Sequence, residues 1–385
     1  MLSANIYDPQ VSVMKSYIIG AGWCPAFAHF RSGLAMPDSV QFMELGFREL
    51  FLWCDAPYQR HGLDLSLHLA RSPITEDKTN QQHFIRHVRR KLEAVGDKSR
   101  AVAASMRSIG VHLTGSRSEG IGPFGFSSHY QFDNFAERRA TYFLENISSE
   151  TGLPVWIENA NFYSHSAKEI IQTWQSVTRL CDHTGAGLIV DLSHIYIEAS
   201  NAGISPVLVL GMVPWHHARE IHISGVILGA NGVRHDGHSQ PVSPDVWALL
   251  DICLESDLLQ GQVIINIEHT DPAWMNQVAE YYADFNQLQL KVAASATQSR
   301  VSPDLDPGAY AKGFLRKILM RQMTYRLKPG HTLEQVALHF EPWLEDAMLK
   351  RGLRLTFTQE ESFPEEQDKI CLALEDFNQY IEQVI

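Results

Sequence analysis

The chain has 385 residues, 45% of them hydrophobic and 20% charged, which suits a soluble globular protein of one large domain with an appendage or two ordinary ones. Its formal net charge of -12 argues against non-specific attraction to nucleic acid or anionic lipid, and the one dense basic run, RHVRRK at 86–91, reads as the solvated face of a helix. No apolar stretch approaches the roughly 20 residues of a membrane span, and MLSANIYDPQ lacks the basic-then-apolar order of a signal peptide, so a cytoplasmic protein is expected.

In chain order, short apolar or β-branched runs alternate with longer amphipathic segments, as in βα units around a parallel sheet. The runs are SYIIGAG (16–22), ELFLWC (49–54), LDLSLHLA (63–70), SIGVHLTG (108–115), PVWIENAN (154–161), GLIVDLSHI (187–195), EIHISGV (220–226) and VIINIEH (263–269). Stretches such as DNFAERRATYFLENISSETG carry apolar residues at three- and four-residue steps and end in glycine, as helices do. Eight such repeats in about 280 residues predict an α/β fold, the (β/α)8 TIM barrel, over 1–300. Beyond it, SATQSRVSPDLDPG has linker composition, and 301–385 is expected to be a helical C-terminal extension. There TLEQVALHFEPWLEDAMLKRG runs from an N-cap Thr332 to Gly352.

Five cysteines are scattered without C-x-x-C spacing, so a metal here relies on nitrogen and oxygen. Histidine supplies them: 18 residues, roughly twice average usage. His68, His112, Glu158, Asp191, His222 and Glu268 each fall toward the C-terminal end of a different expected strand, and His194 follows Asp191 by three. In a TIM barrel those ends converge on one mouth. The loop GVRHDGHSQPV, after the seventh strand, brings Asp236 and His238 to the same rim. Four carboxylates and five imidazoles left unpaired in one basin are costly, and they exceed the ligands one ion needs. Two or three cations sharing carboxylates is the natural count.

Each residue also has an ordinary role open to it. A single strand-end histidine is usually a hydrogen-bonded core residue, Asp191 can cap the next helix, and Asp236 can make an Asx-turn. The recurrence at strand after strand is what such roles leave unexplained. His216 and His217 precede the seventh strand at the opposite end of the barrel and read as ordinary, as do His61, His183 and His339; His235 and His269 adjoin expected ligands but are left out. The segment GIGPFGFSSHYQF lacks a P-loop lysine and is expected to be a loop covering substrate, with the role of His129 open.

The ligand order His, His, Glu, Asp-x-x-His, His, Asp-x-His, Glu resembles two groups of TIM-barrel enzymes. One is the trinuclear-zinc phosphodiesterases of the endonuclease IV type, relatives of xylose isomerase. The other is the multinuclear non-haem iron-dependent oxidative enzymes, the methanobactin-biosynthesis oxidase-like family. GLIVDLSHIYIEASNAG, EIHISG followed by HDGHSQPVSPDVW, VWIENANFY and INIEHTDP are similar to the second family's motifs over roughly 16–285. The acidic balance also argues against an enzyme that grips a DNA backbone.

The resemblance implies a metal site of His68, His112, Glu158, Asp191, His194, His222, Asp236, His238 and Glu268, with Glu158 or Asp236 bridging. It implies two or three iron ions in mixed Fe(II)/Fe(III) states, dioxygen as oxidant, and oxidation at the carbon next to sulfur of a cysteine in a ribosomally made precursor peptide. It further implies a small partner protein that binds the leader peptide, a role that 301–385 either docks or replaces. The chain departs from the family at LWCDAPY, where acidic and Asn residues are usual, and at Val111, where an acidic residue is usual. Both lie near the expected substrate entrance, so a different peptide is implied.

Overall fold

The computed structural model describes residues 16–28, 33–55, 62–113, 117–120, 126–129, 134–159, 167–230, 232–256, 258–259 and 261–297. The chain divides into two compact units, Met1–Gln298 and Ser299–Ile385. The second, on which the expected helical extension falls, lies outside the described residues.

The described strands are β1 (Ser16–Gly22), β2 (Phe42–Leu45), β3 (Asp64–Leu69), β4 (Met106–His112), β5 (Arg117–Gly120), β6 (Phe126–His129), β7 (Val155–Glu158), β8 (Gly187–Asp191), β9 (Ala218–Ile223), β10 (Gly225–Leu228), β11 (Arg234–Gly237) and β12 (Gln262–Ile267). Eight of them close a parallel barrel in the order β1, β2, β3, β4, β7, β8, β9, β12 and back to β1. The other four form two antiparallel hairpins, β5 with β6 and β10 with β11. Both hairpins follow the C-terminal end of a barrel strand, where a TIM barrel carries its site.

Strand periodicity explains how one sequence faces two ways. Ile221 and Ile223 alternate with Glu220, His222 and Ser224, and all five are fully buried. The polar set lies inside: Asn266 of β12 bonds Glu44 of β2, although β1 stands between those strands. The isoleucines face the opposite way, toward the helical layer, where burying each contributes roughly 1.5–3 kcal/mol. The helices start on side-chain caps: Asp77 accepts from the amides of Thr79 and Asn80 ahead of Lys78–Lys98, and Ser243 caps Pro244–Glu255 with Pro244 in its first turn.

One expected strand is wrong. ELFLWC lies in a helix, Phe47–Asp55, and the second barrel strand is the four-residue run FMEL just before it. Leu50 and Trp53 are buried while Leu52 is exposed, which is helical spacing. The true strand is short, and its inward position carries a carboxylate, Glu44, so its hydrophobic signal is weaker than that of the helix that follows.

Candidate metal centre

Register sets the site. β4 and β7 pair His112 with Glu158, β8 and β9 pair Asp191 with His222, and β9 and β12 pair His222 with Asn266. His68, on β3, pairs with Gly110, where a Cβ would stand 2.8 Å from its Nδ1 and 3.0 Å from Ile189 Cδ1. Glycine there leaves the room the imidazole ring occupies. Asp191 ends β8 and caps the next helix, Leu192–Asn201, its Oδ1 accepting from the His194 amide at 2.7 Å. The cap and a place in the cluster are therefore compatible: Oδ2 is left to face His194 Nε2 at 3.4 Å.

All nine residues singled out in the sequence come together. His68 Nε2 lies 2.9 Å from His112 Nε2, and both face Glu158 Oε2, at 3.2 and 3.1 Å. The other Glu158 oxygen is 3.5 Å from His194 Nδ1, and His222 Nδ1 stands 3.8 Å from Oε2 and 3.4 Å from Glu268 Oε1. Asp236 Oδ2 is 2.7 Å from His238 Nε2 and 3.6 Å from His194 Nε2. Glu268 Oε2 closes the circuit, 3.6 Å from His238 Nε2. The donor atoms fall into overlapping groups, His68 with His112 and Glu158, and Glu158 with Asp191, His222 and Glu268. Glu158 belongs to both.

The hairpin of β10 and β11 supplies Asp236. Pairing alternates there, so Asp236 opposite Val226 and His235 opposite Ile227 take opposite faces. Asp236 Oδ1 accepts from Ser224 Oγ and from the Gly237 amide, both at 2.8 Å, one residue on rather than the two of the expected Asx-turn, and this leaves Oδ2 for the cluster. His238 is held by Thr270 Oγ1 at 2.8 Å on Nδ1, and its carbonyl accepts from Trp274 Nε1 at 2.6 Å. His269 stands apart: its Nε2 pairs with Asp284 at 2.8 Å and its ring stacks on Trp274.

Sequence reasoning missed a layer just below. Glu44 accepts from His68 Nδ1 at 3.1 Å and from Asn266 Nδ2 at 2.8 Å, and its Oε2 lies 3.3 Å from His222 Nε2. Glu220 Oε1 is also 3.3 Å from His222 Nε2 and accepts from Asn266 at 3.0 Å. Misplacing the second strand hid Glu44. The signals that would have found the others were the alternations E-I-H and N-I-E within β9 and around the end of β12, which put Glu220 beside His222 and Asn266 beside Glu268 on one face.

These contacts orient each ring. His194 Nδ1–H donates to the Asn159 carbonyl at 2.7 Å, His68 Nδ1–H to Glu44, and Nδ1 of His238 is engaged by Thr270, so all three turn Nε2 into the basin. His222 is reversed, with Nε2 toward Glu44 and Glu220 and Nδ1 toward Glu158 and Glu268. An outer hydrogen bond that fixes the tautomer is the usual second half of a metal-bound histidine.

Burial alone would lower the basicity of these imidazoles, but the carboxylates reverse it. Glu44 raises His68 and His222, and Asp191 raises His194, all well above the ordinary imidazole value. Asp236 raises His238 to about 10. Burial opposes ionisation of Glu44, Glu158 and Asp236 too, yet the neighbouring imidazoles hold all three below the usual carboxylate range. Asp191 goes the other way: burial, reinforced by Glu268, Glu158 and Asp236 against the pull of His194, pushes it up to about 8. Protons thus do the balancing that cations would otherwise do.

The residues fit such cations. Both oxygens of Glu158, Oδ2 of Asp191, both nitrogens of His222 and Nε2 of His238 are buried and lack a hydrogen-bond partner. Buried polar atoms are rarely left so, and here they point at one another. The donor set is nitrogen and oxygen, which suits zinc, iron or manganese. Among the described residues no helix is long and apolar enough to cross a membrane.

Known proteins are similar to parts of this chain. A UPF0276 protein of Caulobacter vibrioides is 31% identical over 131 residues, 33% of this chain and 46% of that protein. One of Acaryochloris marina is 25% identical over 202 residues, 52% of this chain and 66% of its own length. The chain thus spans about half to two thirds of these curated relatives. Among solved structures, 3-keto-D-glucoside 4-epimerase from E. coli aligns with 72% of this chain and all of its own at a TM-score of 0.44 and 18% identity. Residues 135–288, which carry Glu158, Asp191, His194, His222, Asp236, His238 and Glu268, match the family model of the RiPP precursor modification enzymes MbnB/TglH/ChrH, and the family resemblance read from the motifs is met there.

Proposed function

We propose that the protein is a multinuclear non-haem iron enzyme that uses dioxygen to oxidise a residue, a cysteine in the first instance, of a ribosomally synthesised precursor peptide. The observation that carries this reading is Glu158, a fully buried carboxylate with neither oxygen hydrogen-bonded, facing imidazoles from β3, β4, β9 and the helix after β8. The match of 135–288 to enzymes that modify ribosomal peptides supports the substrate class.

In this reading His68, His112 and Glu158 would hold one ion, Glu158, Asp191, His222 and Glu268 a second, and His194, Asp236 and His238 a third. Bound iron supplies Lewis acidity and one-electron exchange with dioxygen, and a soft thiolate competes well for an ion otherwise held by nitrogen and oxygen. The chain's own groups prepare the site for that. Glu44, the Asn159 carbonyl and Thr270 keep Nε2 of three histidines turned into the basin. Ser224 and the Gly237 amide bind one oxygen of Asp236 and so aim the other. His112 and His238 are the most exposed members of the set, so substrate approaches from their side. A small leader-binding partner belongs to the proposal, with 301–385 as the segment to test for docking it.

The test is metal analysis and Mössbauer spectroscopy of protein purified without oxygen. Two or three irons per chain, lost along with peptide oxidation in His194→Ala and Asp236→Ala, are expected. Stoichiometric zinc with phosphodiesterase activity would replace the proposal with the hydrolase alternative. Full iron occupancy in both variants would overturn the ligand assignment.

A further inference from the structure

A second group of metal-capable side chains lies at the other end of the barrel. Asp182, in the last turn of helix Ala167–Thr184, faces His216 and His217 of the 3₁₀ turn Trp215–His217 that leads into β9. His217 Nε2 is 2.7 Å and His216 Nε2 3.5 Å from the same oxygen, Asp182 Oδ1.

That convergence is unusual for neighbours in sequence. Successive residues of a 3₁₀ turn point about 120° apart, yet these two rings stand with centroids only 4.1 Å apart. The turn is fixed from behind: Trp215 is buried with its Nε1 donating to the Leu210 carbonyl at 2.9 Å, and Arg219 Nη1 donates to the His216 carbonyl at 3.1 Å. One carboxylate oxygen bonds His217 well and His216 barely. A cation would use all three side chains at once.

We propose that Asp182, His216 and His217 form a separate binding site for a borderline divalent cation, Zn²⁺ above all, with solvent completing its coordination. One donor atom from each lies within 4.8 Å of the others. Two ligands each about 2.0–2.1 Å from zinc stand at most about 4 Å apart, so the half-exposed side chains of Asp182 and His216 need shift by only a fraction of their length. Two imidazoles and one carboxylate leave at least one position open. The affinity order of first-row ions favours copper, nickel and zinc over iron at such a site. His217 immediately precedes β9, and Ala218 and His222 lie four residues apart along that strand, about 13 Å, so the ion is distinct from any in the barrel mouth. It would tie the end of one helix to the start of β9.

The probe is Zn²⁺, added to the full-length, metal-loaded protein and followed by retained zinc after desalting and by thermal melting. Wild type is expected to hold one zinc equivalent beyond the metal of the mouth and to melt higher with it. His217→Ala and Asp182→Asn should each lose that equivalent, with affinity falling by more than the roughly 10- to 100-fold that loss of an outer-shell partner costs. His194→Ala, in the mouth, should keep it. Equal zinc in wild type and both surface variants would overturn the proposal, as would an extra equivalent that vanishes in His194→Ala alone. His216 is 49% exposed at its side chain, so His216→Ala, which leaves the fold unburdened, serves as the further variant.

Discussion

Glu44→Gln isolates what the hidden layer does. The amide has the size of the carboxylate but only one acceptor, and it stands between His68 Nδ1 at 3.1 Å, His222 Nε2 at 3.3 Å and the Asn266 amide at 2.8 Å. Whichever way it turns, its NH₂ faces an imidazole that now presents a donor. Losing an outer partner of a metal-bound histidine costs roughly 10- to 100-fold in affinity, or about 1.4–2.7 kcal/mol. His68 and His222 belong to different donor groups, and the amide oxygen still accepts from one of them, so the ion of the other should weaken by roughly 10- to 100-fold. The assay is metal retained against a graded chelator series, with Mössbauer spectra of the iron that stays and circular dichroism to establish that the barrel is intact. A variant that folds and keeps wild-type affinity at every ion would refute the coupling.

Three further outcomes are expected. Gly110→Ala places a methyl 2.8 Å from His68 Nδ1 and 3.0 Å from Ile189 Cδ1, so melting should show a loss of about 1–3 kcal/mol and metal analysis the loss of the ion beside His68 and His112. Trp274→Phe keeps an aromatic ring near His269 but removes the 2.6 Å bond to the His238 carbonyl; a stability cost of about 0.5–1.5 kcal/mol and weaker metal on the hairpin side should follow. The metal-free protein should lose stability as pH rises. Its histidines are raised in the folded state, so their contribution is complete below the ordinary value of 6.5 and fades through about 10, where His238 titrates. Metal binding displaces those protons, so apparent affinity should climb over the same range. Titrating melting temperature and metal affinity from pH 6 to 9 checks both signs, and a flat apo profile would contradict the proton-filled cluster.

What the sequence could disclose followed from where chemistry and periodicity coincide. β9 and β12 were legible because toward their C-terminal ends isoleucines alternate with polar residues, a pattern that marks both the strand and its functional face. His68 and His112 were legible as imidazoles near the C-terminal ends of mainly apolar runs. β2 was not, since a four-residue strand offers one alternation, and the apolar helix beside it mimics a buried strand. Glu44 went with it. Nor does a sequence disclose that Asp191 caps a helix with one oxygen and faces His194 with the other, because both roles call for the same residue at the same place. The pairing of Asp182 with two adjacent histidines was invisible for a different reason, since it joins segments 34 residues apart through the close of a helix against a turn.

The hairpin that contributes Asp236 lies outside the closed barrel, as does His238, and neither is needed to complete the ring of strands. In the proposed centre the barrel strands therefore supply most of the ligands, and docking of the segment that follows β9 closes the basin. Thr270, Trp274 and Ser224 act as the latches for that final step. As metal is withdrawn from such a centre, the position nearest the hairpin is the one expected to empty first.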